Sequence, residues 1–197
     1  MNIRVVRELL ARLFVIAFQN RMHPLAFTWC LERSNLIKVI EIGEYDDYFN
    51  KSLIYIFSEM TGNKITVDNS FGVFNDAYWC GYMYFELFLR LKKPFSYIFL
   101  KLPLTKMIDI YSIYHEMDFS SLLEYFNEQE KKATILRLFC NKKNISLSKL
   151  SSATGINMAS LSKYNASDEA LYKASFQNVV KIAKYFDSPL DLFVEKI

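Results

Sequence analysis

Apolar positions recur along the carboxy-terminal third of this chain with a helical period, and a few polar residues divide the pattern into short elements. Ile135, Leu138 and Phe139 stand at i, i+3 and i+4, which predicts a helix over 130–142 with one buried face. Asn141 to Asn144, "NKKN", breaks it. Ser146 then suits the cap of a second helix, because its hydroxyl can accept a first-turn N–H, and Leu147 and Leu150 fall on the inner side. Gly155 follows where a left-handed residue ends a helix. Asn157 can cap a third helix from Met158 to about Tyr164, with Ile156 and Leu161 pointing inward. In "SFQNVVKIAKYF", Ser175 serves as cap and Phe176, Val179, Val180, Ala183 and Phe186 share helical spacing. Pro189 opens a last short helix with Leu190 and Phe193 inward.

The pattern in the front of the chain is less regular. "MNIRVVRELLARLFVIAF" reads as a core or docking helix. Its longest uninterrupted apolar run is Leu13 to Phe18, too short to span a bilayer, and it lacks a small-residue cleavage site. Arg4, Arg7 and Arg12 favour an anionic membrane surface as the alternative, which Glu8 and the lack of a sustained polar face oppose. Lys64 to Asn69, "KITVDN", alternates like a short strand, and Leu36 to Ile42, "LIKVIEI", fits either a partner strand or a helix end. Further helices are expected in "PFSYIFLKL", "TKMIDIYSIYHEM" and "SSLLEYFNEQ", the last capped by Ser120 or Ser121.

"FNDAYWCGYMYFELFLRL" predicts a helix capped by Asn75 or Asp76, with aromatics nearly all round. A helix apolar on every side must be covered on every side. Either it is the centre of a bundle, or part of it, Tyr78, Trp79, Tyr82 and Phe85, is an interface for a second protein. Gly81 permits close approach of another helix in both cases.

Composition adds a division of charge. The net charge is +3, but Gln129 to Ile197 holds 11 Lys and Arg against 6 Asp and Glu, while Met1 to Glu128 holds 13 against 15. A basic tail end concentrates polyanions. With 5 Gly and 4 Pro in 197 residues, tight turns are few and a mainly helical chain follows. Cys30, Cys80 and Cys140 show no metal-ligand spacing and read as small buried residues of a reducing, cytoplasmic compartment. His23 and His115 are the only histidines, so no metal site and no cofactor is expected. His115, Glu116 and Asp118 lie close in sequence. They lack a nucleophile elbow, a phosphate loop or a second histidine, and no enzymatic activity is assigned to them.

The combination of Ile145-Ser146, Leu150, the Gly155-Ile156-Asn157 turn, Leu161 and "VVKIAKYFDSPLDLF" resembles the lambda-repressor/Cro-like helix-turn-helix regulators, the xenobiotic-response-element type. The resemblance covers about 131–195. It implies a five-helix DNA-binding domain whose third helix enters the major groove, so that Asn157, Met158, Ala159, Ser160 and Ser162 would face bases. Lys142, Lys143, Lys149 and Lys163 would meet phosphates. The chain departs from the family pattern at Leu147, where a glutamine is common, at Ser151 in place of alanine and at Thr154 in place of leucine. It also carries a longer loop, "NASDEALYKA", with Asp168 and Glu169.

The expected fold class is therefore mainly α: an aromatic-rich helical domain over 1–129, with room for a small β element, then a five-helix lambda-repressor-like domain over 130–197. The expected function is a sequence-specific transcriptional regulator of double-stranded DNA. It would act as a homodimer, and its architecture resembles a phage regulator or the antitoxin of a toxin–antitoxin operon. The alternative is an adaptor whose bundle binds protein only.

Overall fold

The computed structural model describes residues 3–44, 48, 50–62 and 74–194. They form thirteen α-helices and a closing 3-10 turn, with no strand among the described residues. The strand expected over Lys64 to Asn69 lies outside them. The chain divides into two compact units, Met1–Leu123 and Glu124–Ile197.

The first unit is built from α1 (Ile3–Gln19), α2 (Pro24–Arg33), α3 (Asn35–Ile42), α4 (Leu53–Thr61), α5 (Asn75–Leu91), α6 (Phe95–Lys101) and α7 (Leu104–Tyr114). The α8 helix (Phe119–Lys132) contains the point of division. The ambiguous "LIKVIEI" is helix α3, with Ser34 as its N-cap and Gly43 at φ +79° as its C-cap. Neither Asn75 nor Asp76 caps α5. Phe74 holds the N-cap position without a side-chain bond, and the Asp76 carboxylate accepts from the neighbouring Ala77 N–H (2.8 Å). Ser120 and Ser121 fall inside α8, whose first residue is Phe119. The helices α2 and α4 have no counterpart in the sequence reading. His23 and Pro24 start α2 and Ser52 caps α4, signals that short helices share with turns.

The unit is organised by α1 lying on α5. Val6, Leu10, Leu13, Phe14 and Ala17 form one buried face of α1, and Ala77, Cys80, Gly81 and Tyr84 face it from α5. At the crossing the backbones nearly touch. A Cβ on Gly81 would lie 2.7 Å from the Ala11 Cα, 2.8 Å from Phe14 Cδ2 and 3.1 Å from the Leu10 carbonyl oxygen. Aromatic rings fill the surrounding space: Phe14 meets Phe27 edge-on (centroids 4.8 Å), Tyr84 meets Phe99 (4.7 Å) and Phe88 stacks on Phe95 (4.7 Å). Tyr84 is fully buried, and its hydroxyl donates to the Leu102 carbonyl (2.8 Å), so it brings no unpaired polar group into the core.

The arginines of the first helix serve its own unit. Arg7 pairs with Glu86 and lies over the Tyr82 ring (4.4 Å), and Arg12 donates to Glu8 (2.6 Å), which also accepts from the Tyr78 hydroxyl. The Tyr78 hydrogen bond first, and Arg12 second, hold the Glu8 carboxyl below its ordinary value. No helix among the described residues is long and apolar enough to cross a membrane.

Two outcomes follow from this packing. Gly81→Ala gains about 1 kcal/mol of helix propensity but pushes a methyl into backbone that cannot rotate away, which costs about 1–3 kcal/mol or more. A net loss of stability is expected in urea unfolding, and Gly81→Leu should not reach the native state. Because its folded value is lowered, Glu8 contributes stability that is complete above its unfolded value of 4.5 and is lost as pH falls through the folded value. Tyr78→Phe removes the main cause, so acid titration of its unfolding midpoint should be shallower than that of the parent.

Candidate nucleic-acid interface

In the second unit, helix α9 runs from Ile135 to Lys142, five residues shorter at its start than the spacing suggested. Thr134 is its N-cap, accepting from the Arg137 N–H (3.4 Å) and donating to the Asn165 carbonyl (2.9 Å). Leu136, rather than Leu138, joins Ile135 and Phe139 on the buried face. The Phe139 ring meets Phe186 and Phe193 at centroid distances of 5.0 and 5.3 Å, closing the core from the other end of the unit.

Helix α10 (Leu147–Thr154) is capped by Ser146, which accepts from the Lys149 N–H (3.2 Å). Gly155 follows at φ +68°, its N–H donating to the Ser151 carbonyl (2.8 Å), and the Asn157 carboxamide oxygen caps α11 (Met158–Ala166) by accepting from Ser160 N–H (2.8 Å). Ser151 and Thr154 supply hydroxyls to this turn. Ser151 donates to the Ile156 carbonyl (2.6 Å); Thr154 donates to the Leu150 carbonyl (2.7 Å) and accepts from the Ile156 N–H (3.3 Å). Groups that a turn leaves unpaired are thus bonded within five residues.

The two sides of α11 differ sharply. Leu161 and Tyr164 are buried, while Met158 (44% exposed), Ala159, Ser162 and Lys163 face solvent and Ser160 is half-buried. Asn157 is exposed, but its oxygen is committed to the cap, which leaves its amide nitrogen as the free group. Lys142 and Lys149 are exposed. Lys143 is differently occupied: its ammonium donates to the Tyr185 carbonyl (3.0 Å) at the end of α13 (Phe176–Phe186) and lies over the Tyr185 and Phe186 rings. There it stabilises the negative end of that helix. Lys181, unremarked in the sequence, extends from α13 to the α10–α11 turn, its ammonium 3.9 Å from where a Gly155 Cβ would sit. No local pattern signals it, since only the packing of α13 against α10 brings the two together.

The expected acidic loop is a helix. Asp168–Tyr172 forms α12, capped by Ser167, and Asp168 accepts from the Ile135 N–H (2.6 Å) at the start of α9. Its charge therefore sits at a helix N-terminus, where it is stabilising. Glu169 pairs with Lys173 on the exposed side, a contact that holds its carboxyl below the usual value. Phe176, which shares the helical spacing, is 69% exposed at the first position of α13, and the buried face starts at Val179. Val180 is half-buried, and Ile182, Ala183 and Phe186 are buried. Pro189 precedes the closing 3-10 turn Leu190–Phe193, in which Leu192 and Phe193 are buried and Leu190 is half-buried.

In the first unit, Trp79 (8% exposed) and Phe85 (1%) are enclosed by the unit's own helices, with Trp79 edge-on to Tyr111. They are core residues rather than an open surface. Tyr78 and Tyr82 are half-buried and engaged by Glu8 and Arg7. His115 ends α7, its ring stacked on Tyr111 and Nδ1 2.9 Å from the Tyr111 carbonyl oxygen. Burial pushes the thiols of Cys30, Cys80 and Cys140 up, away from the reactive thiolate. Among the described residues, no group of three His, Cys, Asp or Glu side chains is arranged to hold a metal. No family model, curated protein or solved structure matches the chain.

The Asp168 contact ties α9 to α12, so Asp168→Ala should cost about 1–2 kcal/mol by leaving the α9 terminus without its acceptor. Asp168→Asn keeps an acceptor and should lose less. Comparing the urea midpoints of the two variants separates the bond from mere removal of charge.

Proposed function

We propose that this chain is a sequence-specific DNA-binding transcriptional regulator, with α11 as the helix that reads duplex DNA. The observation that supports this reading is the division of α11 itself. Leu161 and Tyr164 fix one face in the core, while Met158, Ala159, Ser162 and Lys163 project on the other from a helix start set by Gly155 and Asn157. Ser160 and Ser162 can bond base edges, and Ala159 and Met158 can touch a thymine methyl. Lys142, Lys149 and Lys163 supply phosphate contacts, with Lys143 in that role only if it leaves the Tyr185 carbonyl. The chain would act as a homodimer on paired half-sites, with its first unit dimerising or holding a protein partner such as a toxin, in the manner of an antitoxin that represses its own operon. On this reading the protein is cytoplasmic and not an enzyme.

A second reading, an adaptor whose helical bundle binds protein only, draws on the exposed apolar side chains Met158 and Phe176.

Selection from a randomised duplex pool separates the two. A regulator yields a motif whose affinity falls steeply with salt, by a log–log slope of about −0.9 per phosphate contacted. Lys163→Glu combined with Ser160→Ala should then weaken specific binding by about 1–3 kcal/mol or more with the fold intact. Unchanged binding in that double variant refutes the role given to α11. No motif and no binding at low salt favours the adaptor.

A further inference from the structure

The first unit contains an open groove that the DNA reading does not use. It has a volume of about 500 Å³, within the range of small-molecule sites, and its walls are Val15 and Ile16 of α1 and Leu53 and Ile54 of α4. Ile54, an apolar side chain, is 43% exposed there. Glu8, Arg12 and Tyr78 close one end.

The hydrogen bonds at that end determine what it can accept. Each Glu8 oxygen is already engaged, one by Arg12 Nε and the other by the Tyr78 hydroxyl. Arg12 spends only that one donor. A guanidinium carries five N–H groups, so four remain, and among the described residues they have no acceptor. The polar end thus offers donors and little further accepting capacity. Arg4, one helical turn from Glu8, adds a second positive charge to the pair's neighbourhood. A planar anion that accepts two parallel N–H bonds matches an unspent guanidinium edge.

We propose that this groove binds a small amphipathic carboxylate, its alkyl body against Val15, Ile16, Leu53 and Ile54 and its head on the free edge of the Arg12 guanidinium. The site lies wholly within the first unit and does not depend on whether the second unit reads DNA. A second copy of the chain is the competing occupant. Concavity and unspent donors at one end favour a ligand with one charged head over a self-complementary surface.

Calorimetric titration of the full chain with decanoate, decanol and decylammonium, each below its micelle-forming concentration, tests the proposal. Decanoate should bind at one site, octanoate severalfold more weakly because each methylene leaving water adds affinity, and decylammonium at least about tenfold more weakly than decanoate. Arg12→Gln should weaken decanoate about tenfold or more, the effect expected for losing a charge-assisted bond, while leaving decanol unchanged. Ile54→Glu should abolish both. Ile54 is exposed, so Ile54→Glu should unfold as the parent does, and Arg12→Gln, which also loses the surface pair with Glu8, should keep the parent's single cooperative transition at a slightly lower midpoint. The proposal falls if decanoate does not bind, if decanoate and decylammonium bind equally, or if binding survives Ile54→Glu. It also falls if the chain sediments as a dimer that Ile54→Glu dissociates, since the groove then belongs to the second copy.

Discussion

The contact between Gly81 and the Ala11 backbone sets how near α1 can come to α5, and the rest of the first unit is arranged around that distance. A glycine in mid-helix costs about 1 kcal/mol against alanine. Here it is offset because the missing methyl lets two long helices bury their faces against each other. Once they approach, Phe14 reaches both Phe27 and Tyr84, and the aromatic cluster extends through Phe99 to Phe95 and Phe88. Each favourable ring pair adds about 0.5–1.5 kcal/mol beyond its buried area. The many aromatics of α5 are thus the interior filling of a bundle, and their polar outliers Tyr78 and Tyr82 are held by the charged side of α1.

The second unit solves a different problem, with short helices whose ends outnumber what its core can stabilise. Ser146, Asn157, Ser167 and Ser175 each cap the helix that follows, and Thr134 and Asp168 bond across to other elements. Isolated helices of eight or nine residues are marginal in water, so these bonds and the Phe139–Phe186–Phe193 cluster are what keep them formed. Ser151 and Thr154 fit the same economy, because both hydroxyls find backbone partners in the turn.

Charge in this unit is distributed by geometry more than by count. Lys143 is drawn to the carboxyl end of α13, Glu169 and Lys173 neutralise each other at the surface, and Asp168 faces a helix amino end. The number of lysines in the sequence therefore overstates how many are left for a polyanion. Among the outward lysines, Lys142, Lys149 and Lys163 lie on the three consecutive helices α9, α10 and α11.

Sequence alone determined most of the second unit's element boundaries, because each is set by a local event: a serine or asparagine beside its first turn, or Gly155 at positive φ. It also determined the helical character of α1 and α5, whose apolar period extends over seventeen residues each. It misplaced the start of α9 and the state of the 165–174 segment, since each depends on a partner distant in the chain. Ile135 with Asp168, thirty-three residues apart, is the clearest case. Only the tertiary structure decided that the aromatic face of α5 is enclosed, that Lys181 reaches the Gly155 turn, and that Glu8, Arg12 and Tyr78 meet at one end of a groove. Local spacing reports which residues share a helix face, but which face meets which is settled by close packing across the fold.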